Sequence, residues 1–120
     1  MSANETAREI VDAYTRAWGS GDFGAARQRL HDDLAFRGPI DTFHNADDYL
    51  AAIKNLSRMV TGMDHEGTVA NGDDVVVFYV LHTPMANAPV AEWYRVRGDR
   101  IASIRTYFDA RPFAPPAGAP

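Results

Sequence analysis

The chain has no cysteine. That excludes disulfide staples, thiolate metal sites and a cysteine nucleophile, and it suits a reducing cytoplasm, the location expected here. No apolar run approaches the roughly 20 residues that span a bilayer, so no membrane association is expected. Met1-Ser2-Ala3-Asn4-Glu5 has neither a basic start nor an apolar core and does not read as a signal peptide. An excess of basic charge is missing too. Twelve Lys and Arg stand against 16 Asp and Glu, giving a net charge of -4 with the signs interspersed. Nucleic acid, whose binding needs clustered cations, is therefore not an expected partner. There is no phosphate loop, dinucleotide fingerprint or nucleophile elbow. His31-Asp32-Asp33 and His65-Glu66 carry metal-ligand residue types without the spacing of a closed site. No metal and no cofactor are expected.

What is present is enough for one folded unit. The 120 residues are 46% hydrophobic, sufficient to bury a core without covalent help. The domain is expected over residues 1–112 and a Pro/Ala-rich tail over 113–120, where prolines prevent a helix. Ser2 and Glu5 have capping-box spacing, with Asn4 as an alternative cap. Ala7, Ile10, Val11, Tyr14 and Trp18 follow helical spacing until Gly19-Ser20-Gly21 stops the helix. Asp22 caps a short second helix through Leu30. A strand over 34–37 and a turn at Gly38-Pro39 follow. Asn45 or Asp47 caps a third helix, with Leu50, Ile53, Leu56, Met59 and Val60 as its buried stripe. The second half reads as strands over 63–70, 75–82, 90–97 and 101–108, with Gly98-Asp99 as a tight turn. Helices followed by a strand meander make an α+β domain.

Alternation sorts the strand side chains. Val90, Glu92, Tyr94 and Val96 share one face, and Ala102, Ile104, Thr106 and Phe108 another. These aliphatic sets are assigned to the interior. The opposite face carries Trp93 and Tyr107 among arginines, a composition that fits a partner surface better than bare solvent. Glu92, among apolar neighbours, is either a functional acid with a raised pKa or an edge glutamate paired with an arginine such as Arg105. Tyr14 is either a ligand donor or a core tyrosine satisfied locally. His82, at the end of the most apolar strand, is a proton carrier if it points inward. Asp41, with His44, is either an acid-base pair or a turn residue capping backbone amides.

The run Ile10-Val11-Asp12-Ala13-Tyr14 with Trp18-Gly19-Ser20-Gly21-Asp22-Phe23, the segment from Asp32 to Ile40, and the end from Gly98 to Asp109 together resemble the nuclear transport factor 2-like superfamily in its SnoaL-like branch. The resemblance covers nearly the whole chain. It implies a cone-shaped curved antiparallel sheet wrapped around three helices from the N-terminal half, enclosing an apolar pocket. Trp18, Phe36, Tyr94, Thr106, Phe108 and Phe113 are then expected to line that pocket, and members often dimerise through the outer sheet face. Similarity to ketosteroid isomerase places Tyr14 on its oxyanion-hole tyrosine and Glu92 near its oxyanion-hole acid, with Gly38 where its general-base aspartate stands. The aspartate of limonene epoxide hydrolase falls on Thr106, so epoxide hydrolysis is not expected, and Asp109 is the carboxylate nearest to that of the SnoaL-like cyclases.

The reading that results is a cofactor-independent acid-base enzyme for a small, apolar carbonyl compound, doing isomerisation, cyclisation or dehydration. Tyr14 and Glu92 would hold an enolate oxygen, and His82 or Asp41 would move the proton. The alternative is a non-catalytic ligand-binding or dimerisation module of the same fold.

Overall fold

The computed structural model describes residues 6–113. The expected Ser2–Glu5 box and most of the Pro/Ala-rich tail lie outside them. The box that begins the first helix, α1 (Ala7–Gly19), is built by the next matching pair. Thr6 Oγ1 accepts from the Glu9 amide at 3.2 Å, and Glu9 Oε1 accepts from the Thr6 amide at 2.9 Å. Two otherwise unpaired amides are thereby satisfied. Ile10, Val11, Tyr14 and Trp18 are buried along one stripe, with Ile10 and Val11 each contributing about 1.5–3 kcal/mol by leaving water.

Asp22 caps α2 (Phe23–Gln28). Leu30 does not end this helix, as the spacing suggests, but opens β1 (Leu30–Arg37), where it is fully buried. A two-residue strand, β2 (Thr42–Phe43), pairs back on β1; it is too short to leave a periodic signal. Asn45 caps α3 (Ala46–Ser57), its side chain accepting from the Asp48 amide at 2.8 Å. Asp47 and Asp48 then sit in the first turn, favoured by the helix dipole. Ala46, Tyr49 and Leu50 are the buried residues of α3, while Met59, beyond its end, is exposed.

The remaining strands form the meander β3 (Gly62–Asn71), β4 (Asp74–His82), β5 (Asn87–Arg97) and β6 (Arg100–Tyr107). At the β5–β6 turn Gly98 has φ +68°, a conformation that side chains other than glycine rarely adopt. The sheet order is β2-β1-β6-β5-β4-β3. The meander pairs antiparallel throughout, whereas β1 lies parallel to β6. α1 packs across β4, β5 and β6, and α3 packs on β1, so one core lies between the helices and the inner sheet face.

A register shift between Arg95 and Val96 changes the facing of β6. Ile101 and Ile104 are both fully buried, and Ala102, placed inside by simple alternation, is half-buried. The extra residue of a bulge moves the pattern by one position. No helix among the described residues is long and apolar enough to cross a membrane.

Candidate functional site

A cavity of about 240 Å³ opens between the inner sheet face and α3. Its walls are mostly apolar, with Phe36, Phe43, Ile53, Leu81, Val90, Phe108 and Phe113 among them. The rings of Phe108 and Phe113 meet edge to face at 5.7 Å, which brings the residue after the last strand against the cavity. Trp18 also lines it, and Asp41 lies at its exposed mouth.

The buried polar end of the cavity is made by Glu92. This residue is 7% exposed, and β5 turns it inward together with Val90 and Tyr94. Its carboxylate accepts three hydroxyls: Tyr79 on Oε1 at 3.2 Å, Tyr94 on the same oxygen through a shorter bond, and Thr106 on Oε2 at 2.8 Å. The register explains the convergence. Thr106 is directly opposite Glu92 on β6, and Tyr79 on β4 pairs with Val90, one inward position away. An ionised carboxylate has about four acceptor positions. Three are filled from the described residues, and Glu92 borders the cavity.

Burial raises the Glu92 pKa above its ordinary 4.5; the hydroxyls of Tyr94, Thr106 and Tyr79 oppose that shift without cancelling it. Burial likewise pushes Tyr79 and Tyr94 well above the usual phenol range, and the nearby Glu92 charge adds to it. Both tyrosines are therefore neutral donors near pH 7.

A second polar pair lies deeper. The Tyr14 and Tyr49 hydroxyl oxygens are 2.6 Å apart and buried. Tyr49 lines the cavity; Tyr14, at 0% exposure, does not. Tyr14 instead sets its ring edge-on to Tyr94, with centroids 6.0 Å apart. Tyr49 stacks near Phe36 at 4.8 Å.

Of the residues singled out from sequence, Glu92, Thr106, Trp18, Phe36, Phe108, Phe113 and Asp41 border the cavity. Tyr14, Tyr94 and His82 do not. Tyr94 spends its hydroxyl on Glu92. His82 lies on the other sheet face because its parity is opposite to that of Tyr79 and Leu81. There its Nδ1 bonds Asn87 Oδ1 and its Nε2 bonds Asp64 Oδ2, both at 2.8 Å. Arg105 is not the partner of Glu92. It lies over the Trp93 ring at 5.5 Å on the outer face, and Arg95 lies over the same ring at 5.6 Å. Asp109 is held by Arg111 at 2.7 Å, which brings its pKa down to about 2 at an exposed position. Among the described residues no three His, Asp or Glu side chains converge as a metal site requires.

Tyr79 and Tyr49 were not singled out from sequence. Parity with Val77 and Leu81 marks Tyr79 as inward, and Tyr49-Ile53-Leu56 is a second helical stripe beside the one starting at Leu50. Gly38 borders the cavity, and a Cβ there would meet the Phe36 ring at 3.1 and 3.2 Å. A side chain at 38 would therefore have to displace the ring that packs on Tyr49.

Asn87 and Asp64 hold the His82 pKa above 6.5, since both ring nitrogens donate in the charged form. The stabilisation this brings is complete below the unfolded value and is lost as pH rises through the folded one. Asp64→Asn is expected to lower the His82 midpoint in an NMR titration of its ring protons. An unchanged midpoint would discount the Asp64 contact.

The family model for the SnoaL-like domain matches residues 11–104. Among solved structures, a protein from Kribbella flavida has a TM-score of 0.82 at 28% identity, covering 88% of this chain and 88% of that one. A nuclear transport factor 2-like protein of unknown function from Cytophaga hutchinsonii has a TM-score of 0.79 at 24% identity, covering 93% and 97%. An M. tuberculosis epoxide hydrolase of the limonene-epoxide-hydrolase-like kind has a TM-score of 0.73 at 22% identity, covering 89% and 86%. The last two identities speak for the fold alone. No curated protein matches the chain.

Proposed function

The chain belongs to the SnoaL-like branch of the nuclear transport factor 2-like superfamily, and on that premise we propose that it is a cofactor-independent acid-base enzyme for a small, largely apolar carbonyl compound. The observation that carries this reading is Glu92: a buried carboxylate at the end of an apolar cavity, fixed by three hydroxyls. A carboxylate surrounded by donors is an acceptor, so its role is general base, removing a proton α to the carbonyl. Isomerisation, aldol-type cyclisation and dehydration of a β-hydroxy ketone can all begin with that step. Glu92 thus takes the proton-moving role that sequence assigned to His82 or Asp41. His82 is on the wrong face, and Asp41 is exposed at the mouth.

The test is deuterium incorporation. A panel of cyclic ketones in D2O is expected to gain deuterium at the α-carbon faster with the protein than in buffer, and Glu92→Gln is expected to return the rate to that of buffer. Exchange equal in both proteins would remove Glu92 from the chemistry.

A second reading is a binding module without turnover, favoured by Gly38. The carboxylate that the isomerase resemblance leads one to seek there is absent, and the Phe36 ring crowds the space. Small molecules retained through purification, with no exchange on any ketone, would favour this reading.

We also propose a homodimer through the outer sheet face. Phe78, Val69 and Tyr107 are exposed there at 40%, 60% and 53%, beside Trp93 and its two arginines. Phe78→Asp combined with Tyr107→Asp is expected to shift the sedimentation coefficient from dimer to monomer. A wild-type monomer at micromolar concentration would end this proposal.

A further inference from the structure

We propose that Tyr49, and not Tyr14, is the hydroxyl that donates to the ligand's carbonyl oxygen, with Tyr14 as the positioning residue that orients it. This inference rests on the carbonyl reading above and names a second contact for the same ligand.

Two hydroxyl oxygens 2.6 Å apart share one hydrogen bond, so one of the two protons lies between them and the other points elsewhere. If Tyr49 donates to Tyr14, the leftover proton belongs to Tyr14. That side chain is 0% exposed, does not border the cavity and has Tyr49 as its hydrogen-bond partner among the described residues. Its proton would be a buried donor with no acceptor, an arrangement folded proteins avoid. If Tyr14 donates to Tyr49, the leftover proton belongs to Tyr49, which borders the cavity. There a ligand oxygen or a water can accept it. The second arrangement leaves no orphan, so it is the one the fold selects. A hydroxyl that accepts a hydrogen bond is also a stronger donor, because the chain of bonds polarises it.

The cavity then offers one donor from Tyr49 and one acceptor position from Glu92, with apolar walls between. The complementary ligand carries an oxygen acceptor and, elsewhere on the same small skeleton, a proton to give up. An enolisable ketone has both, and as its α-proton leaves, charge grows on the oxygen that Tyr49 faces. A hydrocarbon of the same shape has neither.

The probe is 2-tetralone, with tetralin as the hydrocarbon control. The carbonyl stretch of bound 2-tetralone is read by infrared difference spectroscopy, and affinity is read by quenching of tryptophan fluorescence. In the wild-type protein the stretch is expected to move to lower frequency on binding. Tyr49→Phe is expected to remove that shift and to weaken 2-tetralone binding about tenfold, the scale of one uncharged hydrogen bond. Tetralin binding should be unchanged, which also confirms a folded cavity. Tyr14→Phe should give a smaller shift than wild type, since Tyr49 keeps its proton but loses the bond that aims it. The Tyr14→Phe/Tyr49→Phe double variant leaves no orphan hydroxyl and should also lack the shift.

A full shift in Tyr49→Phe, a shift abolished by Tyr14→Phe alone, or no saturable carbonyl band in the wild type would each overturn the assignment. The two readings fail separately. A full shift in Tyr49→Phe while Glu92→Gln still halts deuterium exchange sinks the Tyr49 assignment alone. A shift lost in Tyr49→Phe while Glu92→Gln exchanges normally sinks the Glu92 reading alone.

Discussion

Glu92→Gln is expected to reduce turnover of an enolisable ketone by about 10²–10⁴-fold, the range that a positioned general base contributes, while the fold persists. Glutamine preserves the side-chain volume and one acceptor oxygen, so at least part of the hydroxyl cluster of Tyr79, Tyr94 and Thr106 keeps a partner. It cannot take a proton from carbon. The pH profile adds a second criterion. A base works ionised, and burial raises the Glu92 pKa above 4.5, so the acid limb of kcat/KM should lie above the ordinary carboxyl value. An acid limb at or below 4.5 would point to another group. Stability should carry the same signature with a definite sign. A carboxyl whose folded pKa is raised favours the fold most at low pH, and that contribution is lost as pH rises from the unfolded value through the folded one. Chemical denaturation of wild type and Glu92→Gln across that window should show the wild type losing ground to the variant as pH increases.

Tyr14→Ala should have the largest effect on stability, about 3–5 kcal/mol by analogy with other large aromatic truncations in cores. For a domain of this size that corresponds to a fall in Tm of roughly 10–20 °C. The ring is fully buried and meets Tyr94 edge-on at 6.0 Å; its removal leaves a void beside the residue that orients Glu92. Tyr14→Phe should cost only about 1 kcal/mol, because the ring stays and one uncharged hydrogen bond to Tyr49 is lost. Comparable losses in the two variants would mean that the hydroxyl pair, rather than ring packing, dominates at this position.

The fold was largely legible in the order of its patterns. A 3.6-residue stripe ending at Gly19-Ser20-Gly21, a third helix with its cap at Asn45, and a meander with a turn at Gly98-Asp99 all follow from local chemistry. Alternation alone places Glu92 inward, because β5 is regular from Ala88 to Val96. It fails on β6, where the bulge opposite Arg95 and Val96 moves Ala102 out of the buried set and Ile101 into it. A one-residue bulge leaves no mark on composition. The parallel pairing of β1 with β6 was equally hidden, since it joins segments about 70 residues apart and no local turn announces it.

The site was legible in its acid and not in its hydroxyls. His82 drew attention by residue type, yet counting by twos from Tyr79 already turns it outward. Tyr14 drew attention because it lies on the first helix stripe, and burial of that stripe is what closes it off from the cavity. Which of two touching tyrosines borders the cavity is decided by helix α3, whose placement against β1 is a tertiary fact.

The strand order has a consequence for biosynthesis. β6 leaves the ribosome after the other described strands, yet it lies between β1 and β5 in the finished sheet. Until residues 100–107 emerge, β1 has only the two-residue β2 at its side, and Thr106 is not there to bind Glu92. Glu92 therefore lacks one of its three hydroxyl partners until that strand has paired. Such late, long-range closure slows folding and leaves an unpaired strand edge open to chaperones or to aggregation while synthesis finishes.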